Sequence, residues 1–72
     1  MNTERNHDAV AIGLRLKLMR IEQGLTSIEV CERAGIQRPT LSAIEGGYYN
    51  TGIQQIAGVA RALGAHVEIV KD

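Results

Sequence analysis

The sequence predicts a small all-α domain of four helices, or five, followed by a short C-terminal strand. Three observations carry that reading. Apolar residues recur every three or four positions through most of the 72 residues. The helical runs end at glycines, Gly24, Gly35, Gly46-Gly47 and Gly64, where a left-handed residue can close a helix. The period then changes to alternation in the last residues, around Val67 and Ile69.

The first helix is expected from Asp8, a good N-cap, to Gln23. Ala9, Ile12, Leu16 and Met19 give it a core stripe. Val10, Leu14, Leu18 and Ile21 add a second stripe, which implies burial beyond that of a surface helix. Helix 2 opens on a complete start signal. Thr26 caps it, Glu29 stands at capping-box spacing, and Leu25 with Val30 forms a hydrophobic staple. It ends at Ala34. Helix 3 begins at Gln37 or Arg38 with Pro39 in its first turn, and turns Leu41 and Ile44 inward. Asn50 or Thr51 caps helix 4, with Gln54 at capping-box spacing from Thr51. Its buried face is read as Ile53, Ile56, Ala57, Ala60 and Leu63. Residues 1–7 read as a disordered tail, 8–64 as the folded domain and 65–72 as a strand segment.

A chain this short is one domain and buries only about 60% of its unfolded surface, so a partner subunit is a natural source of stability. One cysteine and two histidines allow no internal disulfide and argue against structural zinc. No cofactor is implied. No apolar run nears the ~18 residues of a membrane span, the start is unlike a signal peptide, and Cys31 in an apolar stretch fits a reducing compartment. The expected location is cytoplasmic. No Gly-rich phosphate loop, paired-carboxylate pattern or catalytic triad is visible, and so short a chain has little room for a substrate pocket. An enzyme acting on a small-molecule substrate is not expected.

Two brief helices joined at Gly35-Ile36 describe a helix-turn-helix. Cys31 supplies the small residue the crossing needs, and Gly35 the positive φ of the turn. Val30, Ala34, Ile36, Leu41 and Ile44 lock the pair, and one face of helix 3 is left to enter a major groove.

The stretch Leu25 to Ile36, LTSIEVCERAGI, followed by Leu41-Ser42-Ala43-Ile44-Glu45-Gly46-Gly47, resembles the lambda-repressor/Cro (XRE-type) helix-turn-helix family. The similarity runs from about Ile12 to Leu63. It departs from the family at Cys31, where alanine is usual, at Gly46, where asparagine is common, and at Pro39. The resemblance implies a DNA-binding regulator whose helix 3 reads bases through Gln37, Arg38, Pro39, Ser42 and Ala43. Arg38 would face a guanine or, failing that, a phosphate. Thr40, Tyr48, Tyr49 and Asn50 would lie along the DNA backbone, unless the rings only cover the core. Thr26 and Ser27, at the free amides of helix 2, either anchor a phosphate or simply cap. Arg20 and Glu45 match a structural ion pair of the family.

Eight basic and eight acidic residues give a net charge of zero, so non-specific attraction to DNA is weak. A dimer on a two-part double-stranded operator compensates. Its interface would be the strand His66, Val67, Glu68, Ile69 and Val70, paired with its symmetry mate, or else the spare stripe of helix 1. Some antitoxin-repressors share this plan, which makes a protein toxin a second possible partner.

Overall fold

Four helices order the described residues, 7–48 and 52–72, of a computed structural model. They are α1 (His7–Glu22), α2 (Ser27–Ala34), α3 (Arg38–Gly46) and α4 (Ile53–Ala62). His7, read as tail, is the first residue of α1, and Asp8 sits in its first turn, where a negative charge suits the helix dipole. α1 packs on α3, while α2 packs on both α3 and α4.

Leu16, Val30, Cys31, Leu41, Ile44, Val59, Ala60 and Leu63 form the core. Val30 and Val59 are fully enclosed and Leu41 nearly so. The seam of α4 is Ile56 and Ala57, both half-buried, then Val59, Ala60 and, at its C-cap, Leu63. Ile53 is 62% exposed, so the sequence reading of this face was one residue short at its centre and one too long at its start. The cap of α4 also differs from expectation. Gly52 is the N-cap, and Gln55 rather than Gln54 reaches back, its Oε1 accepting from the Gly52 amide at 3.2 Å. Glycine is itself an accepted N-cap, and having no side chain it returns no bond.

The second stripe of α1 is not buried within the chain. Leu14, Leu18 and Ile21 are 52%, 49% and 54% exposed. They lie on the side of α1 away from Gly13 and Leu16, its buried residues. Residues 65–72 carry no strand, and a strand needs a ladder partner, which none of the described residues supplies to them.

Three ties fix the end of α4. The Ala65 amide donates to the Ala60 carbonyl at 2.8 Å. Gln23 Nε2 donates to the Leu63 carbonyl at 2.8 Å, and an Arg33 guanidinium nitrogen lies 3.5 Å from the Ala62 carbonyl. Neither side-chain tie leaves a periodic signal, and sequence reasoning missed both.

Candidate nucleic-acid interface

α2 and α3 meet at the corner the sequence demands. Gly35 takes φ 70° and ψ 35°, and both its amide and that of Ile36 donate to the Cys31 carbonyl, at 2.9 and 3.1 Å. The chain leaves this corner extended at Gln37, the N-cap of α3, and Pro39 falls in the first turn, where a missing N–H costs nothing. Leu41 and Ile44 plug into the core. Gln37, Arg38, Pro39 and Ser42 are exposed, while Thr40 and Ala43 are half-buried. The reading set suggested by the sequence thus shares the outer side of α3, with Ala43 at its edge. Arg38 is the sole cation that α3 carries.

Two contacts set how α3 is held. Arg20 grips Glu45 with a fork, Nε to Oε2 at 2.7 Å and a terminal nitrogen to Oε1 at 3.2 Å. A third guanidinium nitrogen donates to the Leu25 carbonyl at 3.1 Å. The two side chains are only 14% and 11% exposed, and the bond to Glu45 raises the Arg20 pKa further, so it stays charged. The second contact is backbone on backbone. A Cβ on Gly13 would stand 2.1 Å from the Ile44 carbonyl oxygen and 3.0 Å from that of Glu45. Only glycine lets α1 cross α3 so closely.

Past α3, Gly47 adopts φ 82° and its amide closes the helix on Ile44, while the Tyr48 amide closes it on Ala43. Tyr48 is half-buried. A Cβ on Gly46 would come within 2.9 Å of its ring, which accounts for glycine where the family favours asparagine. Tyr49 and Asn50, read as backbone contacts, lie outside the described residues.

At the start of α2 the capping box is complete. Thr26 Oγ1 accepts from the Glu29 amide at 3.1 Å, and Glu29 Oε1 accepts from the Thr26 amide at 2.9 Å. The amides of Ser27 and Ile28, in the first turn, still point out of the helix, available to a phosphate. The Thr26 amide and then its hydroxyl hold the Glu29 carboxyl below its ordinary range. The support that Glu29 gives α2 is therefore complete above the unfolded pKa, about 4.3, and fades as the pH falls through the lower folded value. Thr26→Ala should cost about 1 kcal/mol at neutral pH by urea unfolding. Glu29→Gln, which leaves nothing to titrate at this cap, should lose less stability than the wild type on acidification; equal acid sensitivity would show that this carboxyl contributes none of it.

Among the described residues no helix is long and apolar enough to cross a membrane, and no group of acidic, His or Cys side chains could hold a metal. A family model described as Helix-turn-helix matches residues 16–70. The chain is 34% identical over 61 residues to an immunity repressor protein of Bacillus phage phi105, covering 85% of this chain and 42% of that one. It is 44% identical over 50 residues to an uncharacterized HTH-type transcriptional regulator of Methanothermobacter thermautotrophicus, covering 68% of this chain and 72% of the relative. This chain thus spans less than half the length of the phage repressor. Two solved structures, "MDT Protein" and "Structure of HipA-HipB-O2-O3 complex", each contain a chain that superposes on it, with TM-scores of 0.82 and 0.81. Each comparison covers 94% of this chain and 96% of the other at 20% identity, a likeness of fold alone. The glycine corner, the exposed side of α3 and a match over most of the sequence lead to one assignment: the chain belongs to the lambda-repressor/Cro (XRE-type) helix-turn-helix family of DNA-binding transcriptional regulators.

Proposed function

We propose that the protein is a homodimeric repressor that reads a palindromic operator, one α3 in each of two successive major grooves. The observation that carries this reading is the division of α3. Leu41 and Ile44 are buried and Glu45 is gripped by Arg20, while Gln37, Arg38, Pro39 and Ser42 are exposed on the other side of the helix. Thr40, Tyr48, Tyr49 and Asn50 serve the DNA backbone, as do Thr26 and Ser27 at the start of α2. Arg38 reads guanine through its O6 and N7 acceptors. With no net charge to draw it onto DNA, the protein binds usefully only when two half-sites, ~34–36 Å apart, are engaged together.

Selection of bound duplexes from random sequence should return an inverted repeat. Arg38→Ala should relax preference at one base pair per half-site, losing about 1–3 kcal/mol of discrimination there. A uniform loss over all sequences would instead assign Arg38 to phosphate.

A second reading is favoured by the exposed stripe Leu14, Leu18 and Ile21, an apolar face that α1 does not use within the chain. One of the structures that shares the fold is titled a HipA-HipB complex. In this reading the protein is an antitoxin that binds a protein toxin and represses its own operon. Co-expression with the product of an adjacent toxin-like reading frame separates the two. A stable complex, weakened by Leu18→Glu, supports the antitoxin.

A further inference from the structure

The face of α1 that turns from the core carries a pattern of charge as well as apolar bulk. Leu14, Leu18 and Ile21, each about half exposed, follow one another at helical spacing and make a stripe two turns long. Arg15 and Glu22, both exposed, stand seven residues apart on one edge of it. Those two turns, ~10 Å of helix, keep them from pairing with each other in their own chain. Among the described residues neither forms an ion pair, although Glu68 lines the same groove as Arg15. Lys17 marks the opposite edge of the stripe.

We propose that two copies of the chain pair on this stripe, α1 lying antiparallel to α1 of the second copy, with Arg15 of each bound to Glu22 of the other. The inference rests on the homodimer reading above and gives that dimer a seat. Charge selects both direction and register. In an antiparallel helix pair the same edges of the two stripes face each other, so the Arg15–Glu22 pair forms twice. In that register Leu18 packs on Ile21 of the second copy, also twice, while Leu14 covers its Gly24 turn and Lys17 faces no charge. Sliding the copies by one heptad sets Arg15 against Arg15 and Lys17 against Lys17. A heptad the other way sets Glu22 against Glu22. Like charges across helices destabilise a pair and so exclude both registers. A parallel pair would leave every Arg15 and Glu22 two turns from the nearest opposite charge on this edge. The contact is small beside the roughly 800 Å² per partner of a stable interface, so free copies pair only at high protein concentration. Two half-sites on one duplex favour the same contact by holding the copies together.

The test is charge exchange in the full chain, read by sedimentation at a concentration where the wild type pairs. Arg15→Glu alone and Glu22→Arg alone should each run as monomers, because each sets like charges across the pair twice over. An equal mixture of the two variants should pair again, since every carboxylate of one then meets a guanidinium of the other. The double exchange, Arg15→Glu with Glu22→Arg in one chain, should pair as well. Leu18→Asp should weaken pairing by roughly a hundredfold or more while leaving the helical circular dichroism unchanged, and Leu18→Met should retain the pair. Single variants that pair as tightly as wild type, a mixture that stays monomeric, or a pair that Leu18→Asp leaves intact each overturn α1 as the seat. A wild-type chain that is monomeric at every concentration overturns the homodimer itself, which is a separate outcome.

Discussion

Gly13→Ala should unfold at a temperature lower by roughly 10 °C, although alanine is the better helix former. The added methyl would meet the Ile44 carbonyl oxygen at 2.1 Å, and that oxygen belongs to a backbone with no rotamer to change. One of the two helices must move. Forcing extra volume into a packed contact costs about 1–3 kcal/mol and occasionally more. A carbonyl in the way puts this case at the upper end or beyond it, and the helix-propensity gain of about 1 kcal/mol offsets part. In a domain of this size each kcal/mol moves the midpoint by about 4–8 °C. The same displacement would shift Gln37 and Arg38, so operator affinity should fall more than stability alone accounts for. A variant that melts at or above wild type would mean that α1 and α3 are further apart than described.

Arg20→Ala should cost about 3 kcal/mol, measured by urea unfolding, because it strands a mostly buried carboxylate. It also strips the Leu25 carbonyl of its donor, so it should be costlier than Glu45→Ala. Arg20→Lys should recover little, since an ammonium cannot make the fork that binds both carboxylate oxygens. Replacing both partners, as Arg20→Met with Glu45→Leu, should restore much of the stability, because no charge is then left alone. If the double variant proved no better than Arg20→Ala, the loss would lie in packing rather than in the unpaired charge.

The parts of this molecule that were legible in its sequence are the ones enforced over a few residues. Thr26 and Glu29 three apart, Gly35 at the corner, and Leu41 with Ile44 each act locally, and the structure shows the cap, the positive φ and the burial expected of them. What escaped depended on distant chain segments. Val59 is central to the core because α2 lies across it, and nothing around Val59 says so. Gln23 and Arg33 read as solvent-facing polar residues until α4 brings its last carbonyls to them. Gly46 looked like a departure from its family until the ring of Tyr48 was found lying against it. The exposed side of α3 was legible in the spacing of Leu41 and Ile44, while what that side would contact is set by a partner that no intramolecular bond specifies.

The bonds at the end of α4 have a mechanical consequence. One comes from Gln23, just past α1, and the other from α2, the helix that adjoins α3, so the point where the final segment departs is tied to the body that carries Arg38. A pull on Ala65 would therefore be shared with Gln23 and α2 and not borne by α4 alone.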